Sequence, residues 1–200
     1  MMRRAVVEKG AVSIFLPQAI ADKMWHHPDY DPIWQTASDL EVPLAIHGMD
    51  SATGKPLLGV RYNNVKGGAR SVGTLIGFPF ENMLALAHFM LSGILDRYPT
   101  LRLLVLESNS GWLPFFLNRL DKATEGRQGL AFHDDPLDAS PRDYFLRQCA
   151  IAADADETTI KYVVDDIGND NIVFNTDYPH ADAPAPHLSL IHISEPTRPY

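Results

Sequence analysis

Three polar residues each close an apolar run: His47 follows VPLAI, Glu107 follows LRLLVL and Asp177 follows NIVFNT. In proteins built from parallel strands and helices, chemistry gathers where strand C-termini meet loops. A desolvated imidazole or carboxylate at such a point needs a partner, and a divalent cation satisfies several at once. Imidazole nitrogen with carboxylate oxygen suits Zn²⁺ first, with Mn²⁺, Fe²⁺ or Co²⁺ also accommodated. Each residue also has a plainer reading. A strand-ending histidine can be a hydrogen-bonded core or loop residue, and an aspartate can cap the next helix.

The elements that must position these groups follow from apolar periodicity. Residues 11–16 (AVSIFL), 42–46 (VPLAI), 101–106 (LRLLVL) and 171–175 (NIVFN) read as buried strands, and 145–151 as a weaker one. Between them lie helical patterns. Asp31-Pro32 is a helix start with Ile33, Trp34, Ala37 and Leu40 on one face. Met83, Ala87, Met90, Leu91, Ile94 and Leu95 fall at helical spacing, as do Leu113, Phe116, Leu117 and Leu120. Residues 156–167 form a further helix with Gly168 after it. Residues 49–77 are polar and Gly-rich, long enough to predict a functional loop or lid, and KGGAR within them lacks phosphate-loop spacing. Residues 124–142 read as irregular. Strand–helix alternation predicts α/β architecture with a parallel sheet. A complete (β/α)₈ barrel takes about 250 residues, so five strands in 200 residues predict a truncated one. A doubly wound sheet is the alternative, disfavoured because no Gly-rich first turn appears.

Composition excludes several classes of partner. The chain has 17 basic and 25 acidic residues, a net charge of −8, and no dense Lys/Arg run, which argues against nucleic acid. No apolar stretch reaches membrane-spanning length, and MMRRAVVEKG lacks a signal-peptide apolar core. One cysteine, Cys149, leaves no intrachain disulfide and no cysteine metal cluster, so a cytoplasmic protein is expected. Hydrophobic content of 46% supports a single packed domain.

Three strings in order carry a family resemblance: VPLAIH, SGILDRYPTLRLLVLESNSGWLPFFLNRLD and FNTDYPH. Together they resemble the amidohydrolase-related metal-dependent enzymes of the aminocarboxymuconate-semialdehyde decarboxylase type, over residues 3–187. The resemblance implies a TIM (β/α)₈ barrel with about strands four to eight present. It implies His47 as the fifth-strand metal ligand and Asp177 as the eighth-strand ligand. Asp177 would also take a proton from water activated by the metal, whose pKa falls toward roughly 7. Glu107 stands where many members carry a histidine, one residue out of step, and is assigned a polarising, acid/base or ligand-binding role. His180 matches the last residue of the signature, as a substrate or supporting group or a structural loop residue. First-strand ligands are absent from the chain.

The implied function is a metal-dependent hydrolase or non-oxidative decarboxylase acting on a small carboxylated, cyclic or lactone-like substrate. The alternative is a non-catalytic barrel relative or interaction protein in which Glu107 marks a lost site. A homodimer of the full-length protein is compatible with either. Other polar candidates receive structural readings: His88 as a core or interface residue, His26-His27 as a solvated or lid segment, and Cys149 as an inert thiol. Trp112, Phe115 and Phe116 read as core or subunit contact. Residues 188–200 (LSLIHISEPTRPY) resemble translated sequencing adaptor, so the domain is expected to occupy 1–187, and the fragment alone to be inactive.

Overall fold

The computed structural model describes residues 1–18, 20, 23–47, 66–67, 71–125, 137–154 and 156–177. These form five strands: β1 (Ile14–Pro17), β2 (Leu44–His47), β3 (Leu103–Val105), β4 (Cys149–Asp154) and β5 (Ile172–Asn175). They make one sheet in the order β1-β2-β3-β4-β5. Every neighbouring pair is parallel. The helices are α1 (Met2–Lys9), α2 (Asp31–Asp39), α3 (Val72–Leu91), α4 (Ile94–Arg97), α5 (Leu113–Thr124), α6 (Pro141–Gln148) and α7 (Ile160–Ile167).

Strand order and core placement together decide the architecture. A doubly wound sheet reverses its strand order at a switch point, and this one advances in one direction throughout. Right-handed crossovers repeated in one direction carry every helix to the same face. The core confirms it. Leu16, Leu44, Ile46, Leu103, Val105, Cys149 and Ile151 share one buried cluster with Trp34, Phe89, Leu95, Phe116, Phe145 and Val163 from the helices. The alternate sheet residues Phe15, Ala45, Leu104 and Ala150 are in register on the opposite face, where Phe15 is 46% exposed. One-sided helix packing of a parallel sheet is the wall of a β/α barrel.

Two sequence expectations shift. Helix α3 begins at Val72, inside the segment expected to be a loop up to Gly77. Its first turns contain glycine and Pro79, residues that read as helix breakers when taken alone. Tertiary packing prevails there, since Gln18 Nε2 donates to the Phe78 carbonyl at 2.9 Å. The strand expected at 145–151 is helix as far as Gln148, and β4 starts at Cys149. The cause is a capping box. The Ser140 hydroxyl accepts from the Asp143 N–H, and the Asp143 carboxylate accepts from the Ser140 N–H, with Pro141 in the first turn. At the other end, Asn171 Nδ2 donates to the Leu146 carbonyl at 3.0 Å and to that of Cys149 at 2.7 Å, satisfying acceptors the helix leaves open. The Cys149 thiol is buried and pushed well above its usual range by desolvation, as expected of an inert group.

Candidate functional site

The C-terminal edge of the sheet is a rim of polar groups. His47 is the last residue of β2 and Glu107 lies two residues past β3. His47 Nε2 is 2.9 Å from Glu107 Oε2, and both side chains are partly shielded. The Leu106 N–H donates to the Ile46 carbonyl at 2.9 Å, locking the two strand ends beside the two functional groups. Phe15 covers one side of the imidazole, with ring centroids 4.9 Å apart.

Strain concentrates on the same rim. Glu107 has φ 50, Asn109 φ 52 and Asp177 φ 48, left-handed conformations that non-glycine residues adopt at some cost. Asp177 is held there by its neighbour: its N–H donates to Asn175 Oδ1 at 3.0 Å. Asn175 Nδ2 in turn reaches Asp154 Oδ1 at 3.4 Å, and Asn109 Nδ2 donates to Asp154 Oδ2 at 2.6 Å. Asp154 thus links the ends of β3, β4 and β5. Burial, followed by the nearby carboxylates of Glu157, Asp156 and Asp177, raises its carboxyl above the ordinary range, against the Asn175 hydrogen bond. Sequence reading passed over Asp154, although CAIAAD also ends an apolar run on a carboxylate, because the strand was expected to stop at Ile151.

Glu157 performs a different task. Its carboxylate accepts from the Ser110 N–H at 2.9 Å and the Gly111 N–H at 2.5 Å, and from the hydroxyls of Ser110 at 3.0 Å and Thr159 at 2.8 Å. An anion at the entry to α5 meets free N–H groups and the positive end of the helix dipole.

A divalent ion belongs to the chemistry the rim suggests, and the donors can be tested against it. Imidazole nitrogen from His47 and carboxylate oxygen from Asp177 are of the right type, at the same edge of one sheet. Among the described residues no three His, Cys, Asp or Glu side chains converge as a ligand set. The residues present therefore fit a divalent ion as a partial set.

His180 and residues 188–200 lie outside the described residues. His26 and His88, read separately from the sequence, come together instead: their rings stack with centroids 5.1 Å apart, and His26 Nδ1 lies 3.1 Å from His88 Nε2. Desolvation first, and His26 second, lower the His88 pKa below its ordinary value. A base with a depressed folded pKa adds stability above its unfolded pKa of about 6.5, lost as pH falls through the folded value. Urea midpoints should therefore fall between pH 7 and pH 5 by more in the wild type than in His88→Gln. Equal falls would show that the pair does not contribute. Trp112 packs edge-to-face on Phe116, which is core, while Phe115 faces solvent.

Comparison with known proteins agrees with the geometry. The chain is 24% identical to 2-amino-3-carboxymuconate-6-semialdehyde decarboxylase of Dictyostelium discoideum, over 89% of this chain and 46% of that protein. It is 26% identical to gamma-resorcylate decarboxylase of Polaromonas sp., over 84% of this chain and 50% of that protein. It thus spans about half the length of the curated relatives it matches. The crystal structure of 5-carboxyvanillate decarboxylase from Sphingomonas paucimobilis shares the fold, with TM-score 0.76 at 21% identity, covering 98% of this chain and 56% of that one. Dihydroxybenzoic acid decarboxylase from Polaromonas sp., solved with bound manganese and 2-nitroresorcinol, gives TM-score 0.69 at 25% identity, covering 89% and 53%. The family model described as Amidohydrolase matches residues 2–197, and the chain belongs to that family.

Proposed function

We propose that this chain is the metal-binding sector of a non-oxidative decarboxylase, about strands four to eight of its barrel, acting on a small carboxylated ring or conjugated acid. The observation that carries the reading is the 2.9 Å approach of His47 Nε2 to Glu107 Oε2 across two neighbouring strand ends. The names of the relatives, which are decarboxylases of a carboxymuconate semialdehyde and of resorcylate, favour this reaction over hydrolysis. The sheet face opposite the helices, where Phe15 and Val173 are 46% and 37% exposed, supports a barrel wall that further strands close.

His47 and Asp177 would hold the divalent ion, manganese as in the relative or zinc, with further ligands from elsewhere in the barrel. Once bound, it would polarise the substrate's oxygen atoms. Glu107 handles the proton. Its carboxyl delivers a proton to the ring carbon, the carbon–carbon bond breaks, its electron pair returns to the ring, and carbon dioxide leaves. The imidazole at 2.9 Å keeps Glu107 oriented.

The test is turnover of the manganese-loaded full-length protein on ortho-hydroxylated benzoates and on lactones, scored by carbon dioxide release and by acid production. Carbon dioxide release is expected, and Glu107→Gln should lower kcat by about 10²-fold or more while metal content stays unchanged. Lactone hydrolysis without carbon dioxide release would assign the hydrolase reading instead. An unchanged kcat would make Glu107 a structural carboxylate.

A further inference from the structure

Helix α3 carries a fully buried amide with no apparent business in an apolar core. Asn82 is 0% exposed, and Gln18, just past β1, is 3% exposed. Burying such groups is costly unless they are bonded, so their partners indicate what they are for. Asn82 Nδ2 donates to the Leu106 carbonyl at 2.7 Å. Asn82 Oδ1 accepts from Gln18 Nε2 at 2.7 Å, and Gln18 Nε2 also donates to the Phe78 carbonyl at 2.9 Å. Both donor bonds fix which way the Gln18 amide faces, and its Oε1 is left buried with no partner among the described residues. The amide is thus oriented for Asn82 at the expense of its own acceptor.

We propose that Asn82, oriented by Gln18, is a positioning residue that holds Glu107 in place against His47. The carbonyl that Asn82 grips belongs to the peptide joining Leu106 to Glu107. Leu106 is held on both sides, since its N–H, in the preceding peptide, is bound to the Ile46 carbonyl at 2.9 Å and its own carbonyl to Asn82, which sets the plane of the 106–107 peptide. With its plane fixed, rotation about the Glu107 N–Cα bond is what remains, and it sits at φ 50, where a non-glycine residue stays only under constraint. The result is a carboxylate aimed at His47 Nε2. Three elements meet in this clamp: the end of β1, the middle of α3 and the end of β3. The geometric role stands alone, and its catalytic weight rests on the function assigned to Glu107 above.

The experiment is a nuclear magnetic resonance comparison of wild type, Asn82→Leu and Gln18→Met. Its readouts are the Glu107 backbone carbon shifts and amide coupling, which report positive φ, and the His47–Glu107 side-chain cross-peak. In Asn82→Leu, Glu107 should leave the left-handed region and the cross-peak should vanish, while Val163 and Phe145, far from the clamp in sequence, keep their shifts. Gln18→Met should show a smaller displacement of the same kind. Unmoved Glu107 signals in a folded Asn82→Leu variant would overturn the proposal. If that variant does not fold, unmoved signals in Gln18→Met overturn it in its place. A misplaced carboxylate should also lower kcat by up to about a hundredfold, with little change in KM. Glu107 displaced with kcat intact would refute the function given to Glu107 and leave the clamp established.

Discussion

Gly111→Ala should destabilise the protein by about 3 kcal/mol, lowering its thermal midpoint by roughly 6–12 °C for a chain of this size. A Cβ at this position would lie 2.2 Å from Thr159 Oγ1, 2.8 Å from Thr159 Cβ and 3.1 Å from Glu157 Oε1. No rotamer of threonine removes its own Cβ, so the segment before α7 must move away from the start of α5. That movement pulls the Glu157 carboxylate off the N–H groups of Ser110 and Gly111, which are bound at 2.9 and 2.5 Å. Charge-assisted bonds to otherwise free helix-entry donors are lost together with the packing. Thr159→Gly in the same chain removes the obstruction, and differential scanning calorimetry of the cycle should recover more than half of the loss. A midpoint change below about 2 °C in Gly111→Ala would show that the loop yields freely and that Glu157 is not holding α5 in place.

The parts of the site that could be read from the sequence are those that interrupt a local pattern. VPLAI, LRLLVL and NIVFN are apolar runs that stop at or just before His47, Glu107 and Asp177, and the structure places all three at one sheet edge. Strand β4 escaped that reading for a local reason. The helix signal at Ser140 and Asp143 went unused, so 145–151 read as strand and Asp154 was left in a loop. The clamp escaped for a different one. Gln18 and Asn82 are 64 residues apart, and Asn82 stands among helix formers where a polar residue reads as solvent-facing. Only the fold shows that its face is buried. The left-handed backbone of Glu107 is likewise invisible to residue type, since glutamate is not among the residues that favour it. The parallel α/β architecture was legible from alternation and the barrel from the family resemblance, whereas one-sided packing is a tertiary fact that strand order and the buried cluster supplied.

His47→Ala and Asp177→Ala should each strip the divalent metal. The two residues end strands at the same edge and offer the donor types a divalent ion takes. Removing one ligand from a set of about three leaves too few bonds to offset the ion's hydration, and loss of affinity beyond about a hundredfold follows. Glu107→Gln is the control, because Glu107 contacts His47 and is given no ligand role. The deciding measurement is metal per chain by plasma mass spectrometry on the folded, purified full-length protein and its three variants. About one divalent ion per chain is expected in the wild type and in Glu107→Gln, and less than about a tenth of that in His47→Ala and Asp177→Ala. Equal metal content in all four proteins would contradict the assignment.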